Sequence, residues 1–258
     1  GCKVKIAGRR LFCWEELLDS FRRELRQGVD GAVFTHVSNV FGYILPVKEM
    51  AAECRAAGVP FVLDAAQSAG SLPVDFGALG AEFIAMPGHK GLLGPQGTGL
   101  LLCGDPGKPL LFGGTGTLSR EKTMPEDLPE RLEAGTVNVP GAAGLAAGIR
   151  LVRSLTPEKI FARGHGQTMA CGRALEEMGY RVFTGPHQAM TLSFQGKADC
   201  EEIAEALGSR GIAVRAGLHC APLAHESAGT LEKGTVRISF GHDASPAQTN
   251  ALLRALGV

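Results

Sequence analysis

The sequence has no excess of charge of either sign, since 26 lysines and arginines balance 26 aspartates and glutamates over 258 residues. A neutral chain without a local cluster of basic residues lacks the electrostatic footprint of a nucleic-acid-binding protein. No apolar run approaches the roughly 20 residues that span a bilayer. We therefore expect neither nucleic acid nor a membrane among its partners.

Paired cysteines are also missing. The seven cysteines are an odd number, no two form a C-x-x-C pair, and none shows zinc-type spacing. This pattern argues against a disulfide framework and against a metal site, so we predict no bound metal and a reduced, cytoplasmic location. Residues 1–8 lack the apolar core of a secretory signal and are interpreted as a strand followed by a turn.

Glycine is present in excess, with 36 residues against a usual share of roughly 7%. The glycines show no collagen-like period, so the backbone must turn tightly or approach another group closely at many places. This excess is a first indication of a ligand site. A dinucleotide site is disfavoured, because in residues 94–99 Pro95 stands where a helix would have to begin.

Helix and strand patterns alternate through the first part of the chain. Strands that are apolar throughout predict a mostly parallel sheet with helices on both faces, and ligands of such sheets bind beyond the carboxyl ends of the strands. The pattern gives helices at residues 11–26 and 46–57 and strands at 32–37, 59–64 and 82–86.

A glycine- and proline-rich stretch, residues 104–140, precedes a small-residue helix at 142–152 and another helix that starts at Thr156-Pro157. We place a domain boundary near Arg153, with a large domain at residues 1–153 and a smaller α+β domain at 154–258. The smaller domain is predicted to hold strands near 180–183, 190–194, 212–214 and 236–240, and helices from 199 and 245.

The main candidate site residues lie at two of these strand ends, where Asp64 ends one strand and Lys90 follows another. A carboxylate and a lysine so placed suit a pyridoxal phosphate site, in which the amine forms a Schiff base and the carboxylate keeps the pyridine nitrogen protonated. The alternative is that Asp64 caps a turn and Lys90 is a solvated loop lysine.

Five sequence runs resemble those of cysteine desulfurases in the class V aminotransferase family. They occur in that family's order and the match spans nearly the whole chain. The runs are residues 35–42 (THVSNVFG), 64–68 (DAAQS), 88–91 (GHKG), 133–138 (EAGTVN) and 215–221 (RAGLHCA).

The resemblance implies a role for each residue of a cofactor site. Lys90 would bind pyridoxal 5'-phosphate as a Schiff base, Asp64 would pair with the pyridine nitrogen, and Gln67 would donate to the phenolic oxygen. His89 would help to bind the phosphate. Thr136 would reach the phosphate across a dimer interface, which implies a homodimer.

The resemblance also implies a substrate site. Asn39 would lie near the substrate amino acid, and Arg237 would hold its carboxylate with a bidentate pairing that lysine could not reproduce. Arg215 is a second candidate for anion binding. The alternative for Arg237 is an exposed charge on an edge strand.

The type of reaction that we expect depends on the role of Cys220. The resemblance implies that its thiolate attacks the sulfur of cofactor-bound L-cysteine, leaving a persulfide on Cys220 and releasing L-alanine. A free thiol with a pKa of about 8.5 is only slightly ionised at pH 7, so His219 or His225 is expected to assist. The alternative is a structural loop cysteine, the role that we assign to the other six.

The expected partners are L-cysteine or selenocysteine and a sulfur acceptor, either a protein or a small thiol, as in iron–sulfur cluster assembly. Selenocysteine lyase, another class V lyase or transaminase, and an inactive truncated fragment remain alternatives. Pro87 stands where many relatives carry a phosphate-binding Ser or Thr. The family's amino-terminal portion, with its glycine-rich phosphate turn, has no counterpart here, so we expect a chain that lacks this portion.

Overall fold

The computed structural model describes residues 1–115, 118 and 120–257. These residues form eight helices and eight strands in two four-stranded sheets. The helices are α1 (Trp14–Arg26), α2 (Val47–Ala57), α3 (Phe76–Leu79), α4 (Val139–Leu155), α5 (Pro157–Glu177), α6 (Cys200–Gly208), α7 (Pro222–Ala228) and α8 (Pro246–Leu256). None of the helices among these residues is long and apolar enough to cross a membrane.

The first sheet has the strand order β1-β2-β3-β4. Its first three strands are parallel and β4 runs antiparallel to β3, which confirms the prediction of a mostly parallel sheet. The strands are β1 (Ala32–Thr35), β2 (Phe61–Asp64), β3 (Phe83–Pro87) and β4 (Gly99–Cys103).

The second sheet is antiparallel, with the order β5-β6-β8-β7. Its strands are β5 (Arg181–Phe183), β6 (Thr191–Gln195), β7 (Arg215–Gly217) and β8 (Thr235–Ser239). Helices α5, α6 and α8 pack on it through a buried cluster that includes Leu175, Phe194 and Val236. The chain turns at Thr156, with a φ of 64°, between α4 and α5.

Helices α1, α2 and α3 cover one face of the first sheet. On α1 the apolar stripe Leu17, Phe21 and Leu25 faces Phe34 and Leu63 of the sheet, while acidic residues stand in the first turn and basic residues in the last. This distribution of charge suits the helix dipole, and the stripe supplies the burial that stabilises the helix. The main core of the first half lies between these layers.

The expected class, a mostly parallel sheet packed with helices, is confirmed. Part of the opposite face of this sheet is open to solvent. Val33 and Leu101 lie there, with 78% and 53% of their surfaces exposed, and neither belongs to a buried cluster. Strand alternation places apolar side chains on both faces, but it does not show which segment covers them.

Two predictions of secondary structure are corrected, and one strand was not predicted. Residues 1–8 form no strand, because no described strand lies beside them to pair with. The strand expected at 212–214 begins at Arg215, while Ile212 and Val214 pack against the core without pairing. Strand β4 was not predicted, because the preceding glycines resemble a loop.

The loop after β1 joins the two halves of the molecule. Ser193 of β6 donates from Oγ to the carbonyl of Val40 at 2.7 Å, and Ala189 N–H donates to the carbonyl of Gly42 at 2.7 Å. Gly42 has a φ of 65°, and a Cβ there would stand 2.0 Å from the carbonyl oxygen of Thr191. Only glycine permits this approach, which fixes residues 37–44 against the second sheet.

Candidate active site

Lys90 and Gln67 line one cavity of about 230 Å³ at the carboxyl ends of the parallel strands. Gln67 follows β2 and Lys90 follows β3, so the parallel topology brings the two loops to the same edge of the sheet. The second sheet closes the cavity with Thr191 and Ser239. Two of the predicted cofactor residues thus line the same open cavity, in which Lys90 is exposed.

The Lys90 loop is held in a tight conformation. Gly94 N–H donates to the carbonyl of Gly88 at 2.8 Å and closes the loop around the lysine. A Cβ on Gly70, whose φ is 89°, would stand 2.1 Å from the carbonyl oxygen of Gly91. The loops that carry Gln67 and Lys90 therefore touch backbone to backbone, which accounts for two of the many glycines.

Asp64 lies at the end of β2, beside the cavity-lining residues Ala66 and Gln67. Its Oδ1 accepts a hydrogen bond from the Ala66 N–H at 2.8 Å, and its side chain is exposed. This is the turn-capping contact that the alternative interpretation anticipated. Oδ2 has no protein partner among the described contacts, so the cap leaves one carboxylate oxygen for a ligand.

His89 and Thr136 are exposed, and neither lines the Lys90 cavity. The structure therefore does not bring these two predicted phosphate contacts together with Lys90. Their assignment stays a prediction that rests on the sequence runs alone.

Cys220 lies in a tight turn, closed by the Ala221 N–H donating to the carbonyl of Leu218 at 2.9 Å. His219 and Cys220 have φ values of 52° and 59°, so both central residues adopt the left-handed region that favours glycine and asparagine. Strained non-glycine residues of this kind cluster at functional sites. The Cys220 side chain is exposed and free of any disulfide.

One guanidinium contacts this thiol, and a second is paired with it across the neighbouring strand. Arg215 and Arg237 are paired across β7 and β8, and Arg215 Nη2 lies 3.7 Å from Cys220 Sγ. Arg237 is half-buried on an interior strand, and its Nε is buried without a partner among the described residues. Burial, followed by the charge of Arg215, lowers the pKa of Arg237. The alternative of an exposed charge on an edge strand is therefore wrong.

The histidines next to Cys220 are not the cations of this site. His219 is buried and its Nε2 lies 3.2 Å from both the carbonyl oxygen and Oγ1 of Thr235. Burial, helped by the charge of Arg237, lowers the pKa of His219 to about 4. Burial also lowers the pKa of His225. Both rings are neutral at pH 7, so the positive charge near the thiol comes from arginine.

Asn39 connects this cluster to the first sheet. Its Nδ2 donates to the carbonyl of His219 at 2.7 Å, and its own carbonyl accepts from Arg237 Nη1 at 3.0 Å. Four predicted residues thus meet in one place: Asn39 and the pair Arg215 and Cys220, which come from two of the five runs, and Arg237, which lies on β8 outside the runs. Val37 and Ser239, each two residues from a member of this group, line the Lys90 cavity.

The cavity also contains residues that the sequence did not single out. Thr191 Oγ1 donates to Ser239 Oγ at 3.2 Å across β6 and β8, and His242 lies on the same wall. None of them belongs to a recognisable run. The only signal for these cavity residues in the sequence is their position at the ends of the strands of the second sheet.

The residues of the cavity fit pyridoxal phosphate in their chemistry. Lys90 supplies an amine that can condense with an aldehyde, Gln67 supplies an amide donor, and the free oxygen of Asp64 can accept from a protonated pyridine nitrogen.

Comparisons with known proteins agree with this fit. The family model described as aminotransferase class-V matches residues 13–252. A probable cysteine desulfurase of Methanothermobacter thermautotrophicus is 37% identical over 213 residues, covering 76% of this chain and 53% of the relative. One of Aeropyrum pernix is 33% identical over 258 residues, covering 92% of this chain and 61% of the relative.

A solved structure gives the same result for the fold. The apo structure of a cysteine desulfurase from Thermococcus onnurineus NA1 matches with a TM-score of 0.83 and 32% identity, covering 93% of this chain and 62% of that one. The chain thus spans between half and two thirds of the length of these relatives.

Proposed function

The chain belongs to the class V aminotransferase family, and we propose that it acts as a pyridoxal phosphate-dependent cysteine desulfurase. In this proposal it takes sulfur from L-cysteine, holds it as a persulfide on Cys220 and releases L-alanine. The observation that carries the proposal is the exposed Cys220 thiol 3.7 Å from the guanidinium of Arg215.

Lys90, Gln67 and Asp64 would hold the cofactor, with Lys90 Nζ bonded to its aldehyde carbon. His89 and Thr136 are proposed to contribute to phosphate binding, the latter in a homodimer. When bound, pyridoxal phosphate supplies an electron sink that weakens the bonds at the substrate's α-carbon. Lys90 lines the cavity, where its amine would be able to accept or donate a proton beside the bound substrate.

Arg237 is the proposed partner of the substrate carboxylate. Its guanidinium is fixed by the carbonyl of Asn39, and its buried Nε still lacks a partner among the described residues. A buried donor without a partner gains a charge-assisted hydrogen bond from an anionic ligand. Asn39 is expected to lie near the same substrate.

Cys220 is the proposed nucleophile. Arg215 Nη2 lies 3.7 Å from Cys220 Sγ and can balance the negative charge of the attacking sulfur. The thiolate attacks the substrate sulfur, so an S–S bond forms while the bond between the substrate's β-carbon and sulfur breaks. The electron pair of that bond remains with the β-carbon, which takes a proton to complete the methyl group of alanine. The products balance as alanine and a Cys220 persulfide.

The acceptor of the sulfur is proposed to be a protein or a small thiol, as in the assembly of iron–sulfur clusters in the cytoplasm. The exposure of Cys220 supports this, because a buried persulfide could not be passed to another molecule. The domain boundary near Arg153 would place Lys90 in one domain and Cys220 in the other.

Product analysis tests the proposal. With pyridoxal phosphate, L-cysteine and a thiol reductant, the chain should form alanine and sulfide in equal amounts. Lys90→Ala should abolish the visible absorbance of bound cofactor, and Cys220→Ala should abolish sulfur transfer. Cys2→Ala, which removes another exposed thiol, should change neither. Sulfur release from Cys220→Ala at the wild-type rate would contradict the proposal and favour selenocysteine lyase chemistry.

A further inference from the structure

The turn that carries Cys220 does not hold its conformation by local preference. Its two central residues, His219 and Cys220, are both left-handed, a combination that histidine and cysteine disfavour. Within the turn, the Ala221 N–H to Leu218 carbonyl bond is the closing contact. The surrounding structure must therefore hold this turn from outside.

Besides the Arg215 contact to Cys220 Sγ, two contacts from outside the turn hold His219, and they differ in kind. One is the His219 ring, which is buried against Thr235 on the adjoining β8. The other is the Asn39 side chain, whose Nδ2 donates to the His219 carbonyl at 2.7 Å from the loop after β1. The second bond joins residues 180 positions apart in the chain and ties the turn to the first sheet.

Asn39 also fixes one of the cations beside the thiol. Its carbonyl accepts from Arg237 Nη1 at 3.0 Å, so its main chain sets the position of the guanidinium and its side chain sets the position of the turn. Arg237 is paired with Arg215 across β7 and β8, and Arg215 Nη2 lies 3.7 Å from Cys220 Sγ. Asn39 thus contacts both the turn that carries the thiol and one of the two paired guanidiniums.

We infer that Asn39 is a positioning residue for Cys220, which holds the left-handed turn so that the thiol stays beside the guanidiniums of Arg215 and Arg237. The inference rests on the proposed function only in taking Cys220 as the residue that receives sulfur. Substitution of the Asn39 side chain should release the turn and leave the Arg237 contact intact, because that contact uses the Asn39 carbonyl.

Alkylation with two reagents of different charge tests this inference on the full chain without cofactor. The rates of reaction at Cys220 with anionic iodoacetate and with neutral iodoacetamide are measured by peptide mass spectrometry. Their ratio cancels the fraction of thiolate and reports the cationic surroundings of Sγ. Cys2, which is also exposed, gives the reference ratio in the same molecules.

In the wild type, the ratio at Cys220 should exceed that at Cys2 by at least about threefold, since neighbouring cations raise the local concentration of an anion. Asn39→Ala should bring it close to the Cys2 value, and Asn39→Gln, which keeps an amide donor, should restore part of the difference. Asn250→Ala, at an exposed position of α8, is the matched control and should retain the wild-type ratio.

A folded Asn39→Ala chain that keeps the wild-type ratio at Cys220 would overturn the inference. Circular dichroism checks the fold, and Asn39→Ser, whose side chain is too short to reach the His219 carbonyl, takes the place of the alanine variant if that variant unfolds. The alkylation ratio does not depend on alanine formation. A fall in the ratio therefore supports the inference even if the chain forms no alanine from cysteine, and alanine formation tests the proposed function on its own.

Discussion

Lowering the pH should destabilise this fold through two buried histidines, His36 and His219. Both are almost fully buried, and burial is the largest cause that lowers the pKa of each to about 4. For His219 the charge of Arg237 adds to the effect. Above pH 6.5, which is the ordinary pKa of histidine, both rings are neutral in the folded and in the unfolded chain. In that range they do not lower the free energy of unfolding.

The size of the effect follows from proton linkage. Between pH 6.5 and 4 the unfolded chain binds protons that the folded chain does not, so the free energy of unfolding falls as the pH falls. A histidine with a pKa of about 4 when folded and 6.5 when unfolded loses about 2 kcal/mol between pH 7 and pH 5. The two residues together predict a loss of about 4 kcal/mol, of the order of a small domain's whole stability.

Urea denaturation at pH 7, 6 and 5 measures this loss. His36→Gln and His219→Gln should each remove about half of the pH dependence, and the double variant should remove most of it. The variants are compared by the slope of the free energy of unfolding against pH. A variant that is less stable at every pH therefore still tests the prediction. If the wild type keeps its pH 7 stability at pH 5, or if both variants retain the wild-type slope, the assignment of these rings as buried and neutral is wrong.

Three further changes have expected outcomes. Leu63→Ala empties a fully buried position in the core and should cost about 2–5 kcal/mol in urea denaturation, so a loss below about 1 kcal/mol would contradict the packing described. Gly70→Ala should lower both the melting temperature and cofactor absorbance far more than Gly97→Ala, since both positions have positive φ but only Gly70 faces a backbone atom. An equal effect of the two would refute the role of the contact. Arg237→Lys should raise KM for L-cysteine about tenfold with a smaller change in kcat, by loss of one charge-assisted hydrogen bond, and an unchanged KM would exclude Arg237 as the carboxylate partner.

The sequence predicts an element correctly where the pattern of apolar residues in that segment reflects the element's own buried face. The stripe of Leu17, Phe21 and Leu25 predicts helix α1, and apolar runs ending at Asp64 predict strand β2. The parallel sheet then follows from the alternation of helices and strands. Strand β7 was misplaced because burial, and not strand pairing, explains the apolar residues just before Arg215.

The site could be predicted as a set of residues but not as an arrangement. Cys220 and Arg215 stand in one run, whereas Asn39 meets them only through the docking of the two sheets. The neutral state of His219 follows from its burial, which sequence neighbours do not reveal. The assignments of His89 and Thr136 to the phosphate, and the domain boundary near Arg153, stay predictions.

The most direct test of the central claim is the mass of the Cys220 peptide after the chain reacts with pyridoxal phosphate and one equivalent of L-cysteine. We predict one added sulfur atom on Cys220, with a matching amount of alanine, and neither product from Lys90→Ala. Alanine formed without added sulfur on Cys220, or sulfur added to another cysteine in its place, would contradict the account.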